Sequence, residues 1–297
     1  MYDVAVVGGG PAGLSAALML GRCRRRVLVC DFGQPRNRRS CALHGYLTRD
    51  GIAPAEFNDL GRRELPAYGV EFRSVGVTGV TCRPNAYRLA LAGGGEEDAR
   101  YLLIATGVVD DLPGIAGLED CYGRSVFHCP YCDGWEWRDC RLTALGRSKE
   151  VTGLALGLRT WSADVLLCTN GAALPRQAQE RLARNRVEVR TEPIARIDHR
   201  DGMLTTMAFA DGRECPRDAL FFTTGQHPQS DIAISLGCAL TERGTVKTGT
   251  LCDTNVPRVF VAGDASRDAQ FVVVAAAEGV KAAVAINKAL QAEELAE

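Results

Sequence analysis

The sequence lacks a strong excess of charge of either sign. Its 297 residues carry 35 lysines and arginines against 36 aspartates and glutamates, a formal net charge of −1. Nucleic-acid-binding domains usually carry a basic excess, so this balance argues against a nucleic-acid partner. Long apolar runs are also missing: the longest, Phe271–Ala277, is far shorter than the roughly 18–20 residues of a membrane-spanning helix. We therefore expect neither a nucleic-acid partner nor a membrane partner.

The sequence also lacks a recognisable secretory signal. Met1–Gly8 reads as a strand entering a glycine loop, without the basic and apolar regions of a signal peptide. We therefore expect a cytoplasmic protein, in which a disulfide framework is disfavoured. Twelve cysteines are present, but only Cys129 and Cys132 form a CxxC pair. The other ten stand singly and are expected to be packing residues: Cys23, Cys30, Cys41, Cys82, Cys121, Cys140, Cys168, Cys215, Cys238 and Cys252.

Two copies of a strand–helix–strand pattern indicate an internal repeat. The first copy begins with the strand Tyr2–Val7, the helix Leu14–Arg22 and the strand Val27–Asp31. The second copy begins with the strand Arg141–Leu145 and a helix near Val151–Thr160. Such units predict parallel sheets with right-handed crossovers. The predicted fold class is therefore α/β, with two nucleotide-binding, Rossmann-like domains.

The chain does not begin a third copy of this pattern. After Gly225 it holds one more strand, Val256–Ala262, and a long helix rich in Ala and Val, Gln270–Leu290. The simplest architecture is a discontinuous domain of residues 1–110 and 226–297, with a similar domain of residues 111–225 inserted into it. The length agrees with two domains of about 150 residues each.

Gly8-Gly9-Gly10-Pro11-Ala12-Gly13 is a GxGxxG loop between the first strand and the first helix. Gly8 allows a tight turn, Gly10 lets the backbone approach a pyrophosphate, and Gly13 lets the helix and the strand pack closely. Asp31, about 20 residues further on, is placed to bind a ribose hydroxyl. Because an anion is stabilised at a helix N-terminus, the motif predicts a dinucleotide site.

Gly263-Asp264 follows an apolar strand near the C-terminus. An aspartate there can hydrogen-bond a ribityl hydroxyl or a phosphate of a bound flavin. Gly-Asp after a strand is also a common turn, but the N-terminal loop favours the flavin interpretation.

The segment His128-Cys129-Pro130-Tyr131-Cys132-Asp133-Gly134 is the centre of the predicted chemistry. Its two cysteines can close a disulfide across one helical turn, and Pro130 suits the first turn of a helix. A helix N-terminus lowers the pKa of a thiol and so activates it as a nucleophile. The flanking histidine and aspartate can move protons. The alternative is a zinc half-site with Cys121, His128 or Cys140, but zinc usually needs a second paired knuckle, which is absent, so we expect no metal.

Four motifs together resemble low-molecular-weight thioredoxin reductases: the GGGPAG loop, the strand ending in Ala105-Thr106-Gly107, the CxxCDG segment and the closing VFVAGDA. The resemblance covers nearly the whole chain. It implies FAD in the discontinuous domain, a redox disulfide in the inserted domain, and a homodimer. It also implies that Cys132 is the thiol nearest the flavin, that Cys129 exchanges with the substrate, and that Asp133 is the acid/base group.

The resemblance also assigns two sets of site residues. The catalytic set is His128, Cys129, Cys132 and Asp133. The cofactor-binding set is Gly8, Gly10, Pro11, Ala12, Gly13, Asp31, Asn37, His44, Ala105, Gly263, Asp264, Gln270 and Phe271.

The second nucleotide loop departs from the GxGxxA pattern that holds NADPH in thioredoxin reductases. This loop, residues 145–151, keeps only its first glycine, and Ser148 and Val151 replace the other small residues. Cys168-Thr169-Asn170-Gly171 stands where arginines would bind the 2′-phosphate. The charged residues of the loop are Arg147, Lys149 and Glu150, of which the two cations compensate only in part. We therefore expect NADPH binding to be lost.

A thioredoxin reductase body without an NADPH site is similar to the FAD-dependent dithiol oxidases that close disulfides in gliotoxin, holomycin and related natural products. The shared features are a histidine directly before the CxxC pair, the Thr-Asn-Gly segment, and Pro35-Arg36-Asn37 with Leu43-His44-Gly45, which the resemblance places beside the flavin. It implies that a dithiol is oxidised to a disulfide through Cys129 and Cys132, with O2 as the electron acceptor and H2O2 as its product. The substrate is then a small-molecule dithiol or a thioredoxin-like protein. Two alternatives stay open: a thioredoxin reductase driven by NADPH or another donor, and a non-enzymatic flavin-dependent redox sensor.

Overall fold

A computed structural model describes residues 1–147, 150–223, 225–266 and 269–296, which contain seventeen strands and eight α-helices. The strands are β1 Tyr2–Val7, β2 Val27–Cys30, β3 Glu71–Arg73, β4 Val77–Arg83, β5 Ala86–Leu91, β6 Glu96–Ile104, β7 Val108–Asp110, β8 Val126–Phe127, β9 Leu142–Leu145, β10 Val165–Cys168, β11 Glu188–Arg190, β12 Ile194–Arg200, β13 Met203–Phe209, β14 Glu214–Pro216, β15 Ala219–Phe222, β16 Gln226–Pro228 and β17 Val259–Val261. The helices are α1 Pro11–Arg22, α2 Pro54–Glu64, α3 Leu118–Cys121, α4 Pro130–Asp133, α5 Glu150–Leu158, α6 Arg176–Arg184, α7 Ile232–Ser235 and α8 Val272–Ala296. No helix in this described part of the chain is long and apolar enough to cross a membrane.

The chain divides into two compact units. Unit 1 comprises residues 1–38, 54–109 and 226–297, and unit 2 comprises residues 39–53 and 110–225. The expected continuous segment 1–110 is therefore interrupted, because residues 39–53 group with unit 2. Local contacts explain the correction: Arg39 forms an ion pair with Glu119, and His44 lies near Glu136.

Unit 1 is built on a mixed sheet. Its parallel part has the order β3-β2-β1-β6-β17, and β5 and β4 continue from β6 as an antiparallel meander. β1 and β2 are apolar on both faces, as strands covered on both sides must be. Val4 and Val6 pack with α1 and α8, whereas Ala5 and Val7 belong to the core on the opposite face.

Unit 2 repeats this arrangement. Its parallel sheet has the order β11-β10-β9-β15-β8, and the antiparallel strands β12, β13 and β14 form a separate meander. β9 and β10 therefore correspond to β1 and β2, and β15 corresponds to β6. The repeated order confirms the predicted α/β class with two Rossmann-like units.

Several predicted elements change their bounds, and the largest changes are in the C-terminal part of the chain. The strand expected at Val256–Ala262 shortens to β17, because Pro257 has no N–H to donate and Arg258 has a φ of 61°. The helix expected at Gln270–Leu290 becomes α8, which runs on to Ala296 through residues of high helix propensity.

Candidate redox and cofactor site

The glycine loop of unit 1 forms a tight cradle after β1. Gly8 has a φ of 110°, and a Cβ atom there would overlap the carbonyl oxygen of Ala105. Gly10 is the N-cap residue of α1, and a Cβ atom on it would meet no described atom within 4 Å. The loop is therefore packed tightly at Gly8 and open at Gly10, where a pyrophosphate is expected. Pro11, Ala12 and Gly13 form the first turn of α1, as predicted for these cofactor-binding residues.

Asp31 follows β2 and holds the glycine loop from the side. Its Oδ1 atom accepts a hydrogen bond of 3.0 Å from the Gly9 N–H, and its Oδ2 atom lies 2.8 Å from the Arg62 guanidinium. The sequence prediction did not include Arg62, which lies on α2 and carries no motif of its own. Asp31 thus stands beside the cradle, as a ribose-binding carboxylate requires.

Arg36 joins two of the predicted cofactor-binding residues of unit 1. Its Nη1 atom lies 3.1 Å from Asp264 Oδ2 and donates a 2.6 Å hydrogen bond to Gln270 Oε1. The Arg36 and Asp264 side chains are only 13% and 21% exposed, so water screens this ion pair weakly. Asn37 follows in the same 3₁₀ turn and is half-buried, and Phe271 lies directly before α8.

Two polar atoms near this pair bear on whether a flavin fits. The Gln270 Nε2 atom is buried and has no hydrogen-bond partner among the described residues. The Gly263 N–H donates a 2.8 Å hydrogen bond to Oε2 of Glu278, a carboxylate on α8 that is only 5% exposed. The buried amide donor and the open cradle at Gly10 fit a dinucleotide with a polar ring. Sequence patterns gave no signal for Glu278, because it lies inside an apolar helix.

Cys129 and Cys132 form a disulfide in unit 2, with their Cα atoms 5.3 Å apart. Cys129 is the N-cap residue of the four-residue helix α4, and its Sγ atom accepts a 3.1 Å hydrogen bond from the Cys132 N–H. Both cysteines are half-buried, and Tyr131 is 78% exposed. The pair is therefore oxidised, held on a helical turn and partly open to solvent.

Asp133 is the protonatable group directly after the disulfide. Burial, and secondly the negative charge of Glu136, raise the pKa of its carboxyl to about 7, against a lowering effect of His44. A carboxyl with a pKa near 7 can both accept and donate a proton at neutral pH, which suits general acid–base catalysis.

His128, directly before the disulfide, belongs to a second polar group. Its Nδ1 atom lies 3.8 Å from Asp110 Oδ2 and 3.3 Å from the Tyr122 hydroxyl. Tyr122 donates a 2.6 Å hydrogen bond to Asp110, whose side chain is only 7% exposed. These contacts hold the imidazole from its Nδ1 side. Asp110 and Tyr122 were not predicted, because neither belongs to a motif and only the fold shows that they meet His128.

His44 is the one predicted cofactor-binding residue that lies in unit 2. Its Nδ1 atom is 3.6 Å from Asp50 Oδ1, and its Nε2 atom is 3.5 Å from Glu136 Oε1. The structure thus groups His44 with the residues that follow the disulfide.

The second nucleotide loop, after β9, is packed tightly around Gly146. A Cβ atom at Gly146 would overlap Thr223 Oγ1 and would lie 3.1 Å from Val151 Cβ, and Val151 is completely buried. The Arg147 guanidinium donates to the carbonyl oxygen of Asn170, at 2.9 Å from Nη2. Ser148 and Lys149, which the sequence prediction invoked here, lie outside the described residues.

The segment that replaces the expected arginines is a tight turn after β10. Asn170 has a φ of 49°, and its side chain accepts a 2.9 Å hydrogen bond from the Ile194 N–H. One arginine lies on the neighbouring strand: Arg190 pairs with Cys168 in the sheet, but its guanidinium packs on the Phe209 ring, 5.0 Å from the centroid. The polar atoms of this turn are thus engaged by the protein itself.

Metal binding was the alternative interpretation of the CxxC pair. Cys129 and Cys132 are bonded to each other, and Cys121 is completely buried. Across the described ranges, no three His, Cys, Asp or Glu side chains are grouped so that they would hold a metal ion.

Comparisons with known proteins agree with this geometry. The family model described as pyridine nucleotide-disulphide oxidoreductase matches residues 2–279. A probable thioredoxin reductase from Arthroderma benhamiae is 32% identical, over 98% of this chain and 81% of that protein. The crystal structure of the putative thioredoxin reductase TrxB from Bacillus anthracis is similar, with a TM-score of 0.95 and 32% identity over 99% of this chain and 100% of that one. The crystal structure of HlmI is also similar, with a TM-score of 0.96 and 35% identity over 99% of this chain and 94% of that one.

Proposed function

The chain belongs to the pyridine nucleotide-disulphide oxidoreductase family, and we propose that it oxidises a dithiol substrate to a disulfide. Members of the family are FAD-containing oxidoreductases, and this chain is an enzyme that acts on thiols. The observation that carries the proposal is the contrast between the two units. Unit 1 has an open backbone at Gly10 and a glycine, Gly13, in the first turn of its helix, whereas at the position of Gly13 unit 2 has the completely buried side chain of Val151.

The residues proposed to hold FAD are those of the cradle and its surroundings in unit 1. The open backbone at Gly10 receives the pyrophosphate, and Asp31 receives a ribose hydroxyl. Asp264 and Gln270 are held by Arg36 and offer polar groups to the rest of the cofactor. When bound, FAD supplies a two-electron acceptor that O2 can reoxidise with formation of H2O2.

Thiol exchange takes place at the Cys129–Cys132 disulfide. A substrate thiolate attacks Cys129, its bond to Cys132 breaks, and the second substrate thiolate then displaces Cys129. The substrate leaves as a disulfide, and both cysteines are reduced. The Cys132 N–H, which already donates to Cys129 Sγ, stabilises the Cys129 thiolate as it leaves the substrate.

Proton transfer accompanies each exchange. Asp133, with its pKa raised to about 7, takes a proton from an incoming thiol. His128, held at Nδ1 by the Asp110 and Tyr122 pair, is the second side chain next to the disulfide that can transfer a proton.

The described residues of the unit 2 loop argue against NADPH as the electron donor. A phosphate needs bare backbone N–H groups at a helix N-terminus. Val151 instead packs under Gly146, Arg147 is drawn to Asn170, and Glu150 adds a carboxylate in the first turn of α5. We therefore propose a dithiol as donor, either a small molecule or a thioredoxin-like protein. The homodimer and the cytoplasmic location implied by the sequence stay predictions.

The experiment that tests the proposal supplies the enzyme with dithiothreitol in air. The amount of O2 consumed should equal the amount of H2O2 formed and the amount of dithiothreitol oxidised. Cys129→Ser should abolish all three changes. Cys82→Ser is a matched control, because Cys82 is an exposed single cysteine in unit 1. Turnover that survives Cys129→Ser would contradict the proposal.

A second candidate is an NADPH-dependent thioredoxin reductase, which the name of the Arthroderma benhamiae relative favours. It requires NADPH to reduce the enzyme and a thioredoxin to be its product. The two candidates therefore differ in which substrate delivers electrons to the flavin.

A further inference from the structure

Asp31, the carboxylate beside the glycine loop of unit 1, is held on both of its oxygens. Its Oδ2 atom accepts a 2.8 Å hydrogen bond from Arg62 Nη2, and its Oδ1 atom accepts one of 3.0 Å from the Gly9 N–H. The Asp31 backbone N–H also donates to the carbonyl oxygen of Arg73, at 3.0 Å. The side chains of Asp31 and Arg62 are 13% and 31% exposed. Arg62 and Gly9 together therefore determine the direction of the carboxylate.

The Arg62 guanidinium is itself fixed by its surroundings. Its Cζ atom lies 5.0 Å from the centroid of the Phe72 ring, and its Nη1 atom lies 3.5 Å from Asp59 Oδ1 on the same helix. This helix, α2, packs closely on α1, because a Cβ atom added at Gly61 would lie 3.2 Å from Leu14 Cδ1. Arg62 thus holds Asp31 from a helix that is itself packed against the helix of the glycine loop.

The Arg62 and Asp31 pair still has free hydrogen-bonding positions. Each oxygen of an ionised carboxylate can accept two hydrogen bonds, and each Asp31 oxygen accepts one from the protein among the described residues. The Arg62 Nε atom is buried and has no hydrogen-bond partner among those residues. Buried polar atoms in native proteins usually find a partner, so this donor points to a water or a ligand at the pair.

We propose that Arg62 positions Asp31 for the adenosine ribose, and so sets how much the ribose hydroxyls contribute to FAD binding. The inference rests on the FAD site proposed above, but it is independent of the identity of the electron donor. Without the cation, the carboxylate can turn from Gly9 towards water, and binding must then order it at a cost in affinity. Arg62 is a positioning residue, because it acts through Asp31.

The competing explanation is structural, because the same ion pair joins α2 to the end of β2. If Arg62 only stabilises unit 1, its loss should weaken the binding of FAD and of close analogues by the same factor. If Arg62 positions Asp31, the loss should be confined to ligands that carry ribose hydroxyls, and it should require Asp31.

The test titrates the apoprotein with FAD and with an FAD analogue whose adenosine ribose lacks the 2′- and 3′-hydroxyls. Arg62→Met should raise the Kd for FAD about 10-fold, the equivalent of about one charge-assisted hydrogen bond. The Kd for the analogue should change by at most about twofold, because the analogue has no hydroxyl for Asp31 to accept. Arg63→Met is the matched control, since Arg63 is the next residue of α2 and is exposed, and it should bind both ligands as wild type does.

A double-mutant cycle shows whether Arg62 acts through Asp31. In the Asp31→Ala background, Arg62→Met should raise the Kd for FAD by at most about twofold, because the group that it positions is gone. An equal rise in Kd for FAD and for the analogue, or a full effect of Arg62→Met without Asp31, would overturn the positioning role. A rise in Kd in Asp31→Ala but not in Arg62→Met would contradict this inference alone. Unchanged FAD binding in Asp31→Ala would refute the proposed ribose contact as well.

Discussion

Replacement of Arg36 should weaken FAD binding strongly, although the sequence marks only its segment, Pro35-Arg36-Asn37, and gives Arg36 no role of its own. Arg36→Met removes the cation that holds Asp264 Oδ2 at 3.1 Å and Gln270 Oε1 at 2.6 Å. A charge-assisted hydrogen bond contributes roughly 1.5–3 kcal/mol. If one such bond is lost from the bound complex, the Kd for FAD should rise about 10- to 10²-fold, because about 1.4 kcal/mol corresponds to a factor of ten.

The assay is titration of the apoprotein with FAD, followed by quenching of flavin fluorescence. Arg36→Lys should bind with intermediate affinity, since an ammonium keeps the charge but lacks the extended planar guanidinium that places Nη1 between the two acceptors. Arg88→Met is the matched control, because Arg88 also joins two acceptor side chains, Asp98 and Glu96, in unit 1 but lies among the antiparallel strands. Equal FAD affinity in Arg36→Met and Arg88→Met would refute the reasoning.

Three further predictions follow from the same site. The purified protein should be yellow, and Gly10→Val should lower its FAD content, measured by absorbance after gel filtration, because a branched side chain enters the open face of the cradle; an equal FAD content would contradict the cradle. Cys129→Ser should show a long-wavelength band from the Cys132 thiolate with oxidised flavin, and Cys132→Ser should not; the reverse pattern would exchange the roles of the two cysteines. The rate of dithiol-driven flavin reduction should rise with pH through about 7, because the pKa of Asp133 is raised to about 7 and its charged form is the base above that value. In Asp133→Asn the rate should no longer rise in this pH range. A rise that persists in this variant would mean that another group is the base.

The sequence predicted the fold well because its signals are local and repeated. The strands Tyr2–Val7 and Ala86–Leu91 have the bounds their composition indicates, and Pro130 begins the helical turn of the CxxC pair. The bounds of β17 were predicted wrongly because the backbone conformation changes at a single residue. Arg258, with a positive φ, shortens β17, and no apolar pattern reports that conformation.

The site was predicted only where a motif marks it. The glycine loop, Asp31, Asp264 and the CxxC pair are named by spacing, and the structure places the first three in one unit. Arg36 acts through contacts with Asp264 and Gln270, which are far from it in the chain, whereas Glu278 and the Asp110–Tyr122 pair act through contacts that no motif marks. In the sequence, Glu278 is a single charged residue inside an apolar helix. Only the fold shows that its carboxylate accepts a hydrogen bond from the Gly263 N–H.

His44 also shows the limit of prediction from sequence, because the structure groups it with other residues than expected. The resemblance grouped it with the flavin-binding residues, and its segment groups in the structure with unit 2. Its neighbours in the structure are Asp50 and Glu136, and no motif or hydrophobic pattern in the sequence predicts these contacts.

The central claim is that a dithiol, and not NADPH, delivers electrons to the flavin. The most direct measurement is anaerobic mixing of the holoenzyme with NADPH or with dithiothreitol while the flavin absorbance is followed. Loss of two charge-assisted phosphate contacts, each roughly 1.5–3 kcal/mol, should weaken NADPH binding on the order of 10²–10⁴-fold. The account predicts that dithiothreitol bleaches the flavin and that micromolar NADPH leaves it oxidised. Rapid bleaching by micromolar NADPH would contradict it and favour a thioredoxin reductase.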